Sequence, residues 1–298
     1  MQPRTLPATL GLVKLAARVE AIVAQPVVAL DELVDAGGYS PALRLIATLA
    51  DGSTVFVKAA VDDLTGQWVQ AERAAYEALV GVSFMPKLVG ADEETLVLED
   101  LRNARWPPPW QAGDIDSVLA VLEEMTAIAA PDWAPALNDV RGDLGGLWDV
   151  VGADPSGLLK LGVCSPDWFG RAQPVLADAA RRAPLDGPSV VHFDVRSDNV
   201  CLTPNGALLV DWNLLCRGNG AIDRAFFAQT LTMEGQGPPW ELLPDADPGI
   251  VAVVAGFLAD RAPGPPLPNA PRVRPVQLAQ LRICLPWAAR VLGLPEPS

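Results

Sequence analysis

Apolar and polar positions fall into two textures along the 298 residues. From Leu10 to Val23 the apolar side chains recur at helical spacing, which predicts an opening amphipathic helix. The following stretch, VVALDELVDAGGYSPALRLIATLADGSTVFVKAA, runs as apolar segments punctuated by turn residues. Asp51-Gly52 is a strong hairpin signal, because such a turn needs positive φ and glycine adopts it freely. With Gly37-Gly38 marking an earlier turn, the pattern predicts three antiparallel strands. In DDLTGQWVQAERAAYEALVG, Leu64, Trp68, Ala71, Ala75 and Leu79 fall near helical spacing and Gly81 closes the segment. FMPKLVG and ETLVLED then read as two more short strands, so a sheet interrupted by one long helix fills the first hundred residues.

Beyond Asp100 the texture changes. RNARWPPPWQAGD is a proline-rich, tryptophan-bearing loop. After it, helical periodicity predicts helices over Asp114–Ala130, Pro166–Arg182, Arg224–Met233, Pro248–Arg261 and Pro275–Leu292. NVCLTPNGALLVDW interrupts them as two strands around a Pro204-Asn205-Gly206 turn, and APGPPLPNAPRVRP reads as a rigid surface connection. The chain contains no internal repeat. The expected fold is α+β and two-lobed: residues 1–99 as an antiparallel sheet lobe with one long helix, 100–103 as a hinge, and 104–298 as a mostly helical lobe.

Composition sharpens this only in part. Half of the residues are hydrophobic, enough for each lobe to bury its own core, and the 29 prolines and 25 glycines mark loops between apolar segments. Cys164, Cys201, Cys216 and Cys284 lack CxxC spacing, which argues against a zinc site or a disulfide framework and for a reduced, cytoplasmic protein. The N-terminal stretch lacks the pattern of a signal peptide, and no apolar run reaches the roughly 18 residues a membrane span needs. A net charge of −14 opposes binding to nucleic acid.

The candidate chemistry centres on VVHFDVRSDNV at 190–200, which holds the only histidine. Phosphoryl transfer needs a cation for the phosphates, oxygen ligands for Mg²⁺ and a group that orients the attacking hydroxyl. Each has a candidate in chain order. Lys58 ends a run of apolar strand residues, and Glu72, fourteen residues later, could pair with it and aim it at the α- and β-phosphates. The plainer reading is a snorkelling lysine and a solvated glutamate. Asp194 would accept a hydrogen bond from the acceptor hydroxyl. Asn199 and Asp211 are hard oxygen ligands suited to Mg²⁺, brought together by the hairpin between them. Arg196 either reaches the γ-phosphate or pairs with Asp198 or Asp223. His192 reads as structural, tying the loop to nearby carbonyls, and Asp198 as a loop cap.

The order H-x-D-x-x-x-x-N, then Asp211-Trp212, then a further Asp in NGAIDRAFF resembles the aminoglycoside phosphotransferase family of the protein-kinase-like fold. The resemblance covers most of the chain: VFVKAA is similar to the family's ATP-lysine strand, QAERAAYEALVG to its helix with the lysine-pairing Glu, and TLVLEDL to its hinge. It implies that Glu99, Asp100 and Leu101 lie beside adenine through backbone groups. It also implies that the GGYS turn, with Gly37, Gly38 and Ser40, covers the phosphates, and that Asp223 braces the catalytic loop. ATP, or GTP in its place, and Mg²⁺ are the implied cofactors. Phe193 departs from the small residue the family has between His and Asp. Asp211-Trp212-Asn213 stands where protein kinases have DFG, DAGGYSPA is not GxGxxG, and no GxxxxGK[ST] P-loop is present.

On the acceptor side, residues 111–159 carry nine acidic residues and one basic, which suits a cationic acceptor such as an aminoglycoside or simply a solvated face. Trp106, Trp110, Trp133, Trp148 and Trp168 could stack on a sugar or pack a core. The expected function is phosphorylation of a small-molecule hydroxyl, an antibiotic first. A metabolic kinase of the same fold acting on choline, an amino alcohol or a sugar is the alternative. An inactive nucleotide-binding regulator and a metallohydrolase built on His192, Asp194, Asn199 and Asp211 are further readings; the last leaves Lys58 and Glu72 unexplained.

Overall fold

The computed structural model describes residues 8–33, 41–267 and 270–298. The chain divides into two compact units, Met1–Pro107 with Asp198–Leu214, and Pro108–Ser197 with Leu215–Ser298.

The first unit opens with α1 (Ala8–Val23), β1 (Val27–Glu32), β2 (Leu43–Leu49) and β3 (Thr54–Ala59). It continues with α2 (Asp63–Ala78), β4 (Leu88–Ala91) and β5 (Thr95–Glu99). The strands form one antiparallel sheet in the order β1-β2-β3-β5-β4. Gly52 turns the β2–β3 hairpin at φ 83°, which sets Leu45 opposite Val57 and Ala47 opposite Val55. Because strand side chains alternate, Leu45, Ala47, Val55, Val57 and Val97 share one face and bury themselves with Leu15 and Val19 of α1. Arg44, Ile46, Phe56 and Lys58 lie on the other face.

α2 starts with a reciprocal cap: the Asp62 carboxylate accepts the Thr65 N–H at 2.8 Å, and the Asp62 N–H donates to Thr65 Oγ1 at 3.0 Å. Its buried stripe runs through Thr65, Val69, Glu72, Ala75 and Tyr76, whereas Leu64 is 46% exposed. The apolar spacing places the inner face about one residue off. What shifts it is the burial of two polar residues, Thr65 in the cap and Glu72 in an ion pair.

Four short strands follow: β6 (Ser189–Val191), β7 (Val200–Thr203), β8 (Gly206–Leu209) and β9 (Cys216–Gly218). β7 and β8 form the hairpin expected around Pro204-Asn205-Gly206. It joins the sheet unit through an N–H···O bond from Leu209 to Phe84 at 2.8 Å, and Trp212 lies 5.8 Å from the Phe84 ring.

The second unit holds α3 (Asp114–Thr126), α4 (Leu137–Arg141), α5 (Leu147–Ala153), α6 (Ser156–Lys160) and α7 (Pro166–Arg181). It also holds α8 (Ala221–Met233), α9 (Pro239–Leu242), α10 (Pro248–Arg261) and α11 (Val273–Val291). α10 is apolar on all sides and buried nearly throughout, as the central helix of a bundle must be. Trp148 packs against it and donates its indole N–H to Ala252 O at 2.7 Å. α3 stops at Thr126, earlier than the predicted Ala130, because 127–130 turn to pair with β6. The short helices α4, α5 and α6 and the strand β9 carry too few turns for periodicity to mark them. Pro268 and Asn269 of the proline-rich connection lie outside the described residues. None of the four cysteines is in a disulfide, and all are buried. No helix among the described residues is long and apolar enough to cross a membrane.

Candidate active site

Within the sheet unit, β3 carries Lys58 on the face away from α1, and the residue is only 4% exposed. Its ammonium is 2.5 Å from Glu72 Oε2 and 2.7 Å from Asp211 Oδ1. Burial alone would lower the lysine pKa, but the attraction of Glu72 and Asp211 reverses this and leaves it above its ordinary value. Glu72 is itself held above the ordinary carboxylate range, by burial first and by the nearby Asp211, against the pull of Lys58.

Asn199 ends a 3-10 turn over Ser197–Asn199 and is 3% exposed. The N–H of Val210 donates to Asn199 O at 3.0 Å, so the β7–β8 hairpin returns the chain beside its start and sets Asp211 near Asn199. Asp211 holds a positive φ of 67°, a backbone state costly for a side-chain-bearing residue. Lys58, Glu72, Asn199 and Asp211 all line one cavity of about 390 Å³. Its remaining walls include the apolar side chains of Ile46, Phe56, Leu98 and Val210. That volume, an apolar slot with polar groups converging on part of its wall, is in the range of small-ligand sites.

Glu99, Asp100 and Leu101 line the same cavity. The Glu99 carboxylate accepts the Lys87 N–H at 2.7 Å. Asp100 accepts from Thr54 Oγ1 at 2.7 Å and from Arg102 Nη2 at 2.7 Å. Partial burial would raise its pKa, but the bonds from Arg102 and Thr54 hold it below the ordinary value. Trp106, grouped by sequence with the acceptor side, lines this cavity instead and donates its indole N–H to Leu101 O at 3.2 Å. Arg44 and Asp198 also line it. Arg44 escapes a sequence reading because one arginine within an alternating strand looks like a solvated residue. Gly37, Gly38 and Ser40 lie outside the described residues.

The second unit holds Asp194. Arg196 Nε is 3.0 Å from Asp194 Oδ1, a pairing the sequence reading does not weigh. His192 is fully buried, and its Nδ1 accepts the Asp194 N–H at 3.2 Å, so the ring shapes the loop. Asp223 is fully buried on α8 and receives the backbone N–H groups of both His192 and Phe193 at 2.7 Å. Burial pushes its carboxyl up to about 7, against the effect of those two bonds. Phe193 has φ 62°, and its ring packs edge-on against Phe226 at 5.3 Å and Phe257 at 5.8 Å. Glu234, which sequence reasoning misses, accepts from Ser197 Oγ and from the Trp110 indole N–H, the latter at 2.6 Å. It therefore ties the end of the 190–197 loop to the tryptophan-bearing loop.

The acidic segment is largely occupied with local work. Asp114 and Asp143 accept backbone N–H groups at helix starts, and Asp154 accepts the Ser156 N–H. Asp149 pairs with Arg181 and Glu123 with Arg224. Trp148 and Trp168 are core residues, whereas Trp133 is 50% exposed.

Among the described residues, no group of three or more His, Cys, Asp and Glu side chains is placed to hold a metal ion. Mg²⁺ bound to a nucleotide takes one or two protein oxygen ligands and completes its shell with phosphates and water. The neutral oxygen of Asn199 and the carboxylate of Asp211 on one cavity wall fit that requirement.

No protein-family model and no curated protein matches the chain. Solved structures do. A choline/ethanolamine kinase family protein from Mesorhizobium loti matches with a TM-score of 0.63 at 15% identity, over 95% of this chain and 98% of the other. A thermostable mutant of aminoglycoside phosphotransferase APH(4)-Ia, in ternary complex with ADP and hygromycin B, matches with a TM-score of 0.56 at 15% identity, over 96% and 98%. A macrolide 2′-phosphotransferase type I matches with a TM-score of 0.53 at 17% identity, over 98% and 95%. The chain has the protein-kinase-like fold of these small-molecule kinases.

Proposed function

We propose that this protein is an enzyme that transfers the γ-phosphate of ATP to a hydroxyl group of a small molecule, with Mg²⁺ as the accompanying ion. The observation that carries the reading is Lys58, buried against a cavity and bonded to Glu72 at 2.5 Å and Asp211 at 2.7 Å. Such an ion pair gives little net stability compared with apolar residues of similar volume, so its presence at a cavity wall supports a functional rather than a stabilising role.

In this reading Lys58 meets the α- and β-phosphates and Glu72 keeps it aimed. Backbone groups of Glu99, Asp100 and Leu101 face the base, and Gly37, Gly38 and Ser40 cover the phosphates. Asn199 and Asp211 would hold Mg²⁺, which would offset the charge that develops on the transferring group. Asp194 accepts a hydrogen bond from the acceptor hydroxyl and takes its proton as the new O–P bond forms. Arg196, ion-paired to Asp194, offsets negative charge during transfer, and Asp223 fixes the loop through its two backbone bonds.

The first acceptor class is an antibiotic such as an aminoglycoside. A metabolic alcohol such as choline, an amino alcohol or a sugar is the second. It is favoured by the local engagement of Asp114, Asp143, Asp149, Asp154 and Glu123, which leaves fewer carboxylates for a polycation. The test is ADP release from Mg²⁺-ATP across a panel of antibiotics, choline, amino alcohols and sugars, with Asp194→Ala as control. Turnover of one acceptor that disappears in the variant supports the reading and names the substrate class. Equal turnover by Asp194→Ala refutes the assigned base, and nucleotide binding without transfer to any acceptor points to a regulatory protein.

A further inference from the structure

Trp106 stands on the wall of the cavity with its position fixed from three directions. Its indole N–H donates to Leu101 O at 3.2 Å, which anchors one edge of the ring. Arg105, just before it, is tied to β7 by reciprocal backbone bonds, its N–H donating to Leu202 O at 2.9 Å and its carbonyl accepting the Leu202 N–H at 2.8 Å. Pro107, just after it, disfavours a helical backbone at Trp106. Yet Trp106 is 39% exposed, whereas Trp148, Trp168, Trp212 and Trp287 are buried. An aromatic ring held in one place and left uncovered offers a ligand contact area at little cost in ordering. The slot it borders is otherwise walled by Ile46, Phe56, Leu98 and Val210. The polar acceptors beside it are largely spent. Leu101 O takes a second bond, from the Ala104 N–H at 2.9 Å, which fills both of its lone pairs. The Asp100 carboxylate is held by Thr54 and Arg102, and that of Glu99 by the Lys87 N–H. A planar base lying against this segment therefore gains more from contact with ring faces than from bonds to these acceptors.

We propose that Trp106 stacks on the base of the bound nucleotide and sets the preference for a nucleotide over its bare polyphosphate. The inference deepens the phosphotransferase reading and rests on it. Every base presents a π-face, so stacking secures the base without choosing between adenine and guanine.

The experiment is calorimetric titration of the full-length protein, Trp106→Leu and Trp106→Phe with adenosine, Mg²⁺-ADP and Mg²⁺-tripolyphosphate. Loss of base stacking predicts that Trp106→Leu binds adenosine and Mg²⁺-ADP roughly tenfold to a hundredfold more weakly, by a similar factor for both. Mg²⁺-tripolyphosphate should bind as it does to the wild type. Trp106→Phe keeps an aromatic face without the N–H and should retain most of the affinity. Unchanged Mg²⁺-ADP binding by Trp106→Leu overturns the inference alone. So does a loss that is equal for tripolyphosphate and Mg²⁺-ADP, which marks a distorted cavity wall. A loss equal in the two variants also overturns it, by placing the effect in the bond to Leu101. A wild-type protein that binds none of the three ligands overturns the phosphotransferase reading, and the inference with it.

Discussion

Lys58→Met is the most informative perturbation of the sheet unit. It removes the cation and keeps the volume, leaving Glu72, 2% exposed, with no counter-charge at 2.5 Å. Breaking a buried ion pair by deleting one partner costs about 3–5 kcal/mol. For this unit that corresponds to a fall of roughly 10 °C or more in melting temperature. The groups electrostatically coupled to Glu72 are Lys58, Asp211 and Arg44. Glu72 already sits above the ordinary carboxylate range in the folded protein, mainly through burial, and Lys58 is what holds it down. A carboxyl whose folded pKa is raised stabilises the fold below its ordinary pKa and loses that contribution as pH rises through the folded value. Removing Lys58 raises that value further, so the deficit of Lys58→Met should be small near pH 5 and large at pH 8. The double variant Lys58→Met/Glu72→Met removes the stranded charge and should recover at least half of the loss at pH 8. Scanning calorimetry at the two pH values decides the matter. A deficit equal at both, or a double variant that loses the sum of the single losses, would refute the reasoning.

Two further outcomes are expected. At Phe193, where φ is 62°, glycine should be tolerated better than alanine, reversing the usual order. Both variants lose the aromatic contacts with Phe226 and Phe257, but only glycine sheds the left-handed strain of about 1 kcal/mol, which denaturant titration can resolve. Glu234→Gln, by weakening the tie between Ser197 and Trp110, should lower the transfer rate while leaving Mg²⁺-ADP affinity unchanged; an equal loss in both would mean general unfolding.

Turn chemistry carried most of the fold's legibility. Asp51-Gly52 and Pro204-Asn205-Gly206 each punctuate apolar runs, and strands lie on both sides of each. Lys58 drew notice because a lysine closing an apolar run needs a partner, and Asp211 because the hairpin must return it towards Asn199. Where burial depended on a distant partner, the one-dimensional pattern misled. The inner face of α2 includes Glu72 because Lys58 waits across the sheet unit, and no spacing rule reports that. β6 and β9 are three residues each and pair across a long interval, so neither carries a readable period. Glu234 resembles a charged residue fraying from a helix end until Ser197 and Trp110 are seen to converge on it.

The unfavourable features of the chain are not scattered. Ala24, Phe193 and Asp211 are the non-glycine residues with positive φ among the described residues, and two of them fall in the HFD and DWN stretches. Such a conformation costs roughly 1–3 kcal/mol where nothing else compensates. The same two stretches meet buried carboxylates: Asp223 receives the backbone of Phe193, and Glu72 shares Lys58 with Asp211. A sequence shaped for stability alone would place glycine at both positive-φ sites and apolar residues in place of Lys58 and Glu72. Strain and buried charge held at chosen points are what a phosphate-transferring site requires, because the groups that orient a hydroxyl and neutralise a phosphate must be in place before the substrate arrives. The acidic segment at 111–159 runs the other way: several of its carboxylates cap helices or sit in exposed ion pairs, an inexpensive use of charge that stabilises the bundle locally. Charge reversal at Asp149 or Glu123 should therefore cost local stability before it changes the choice of acceptor.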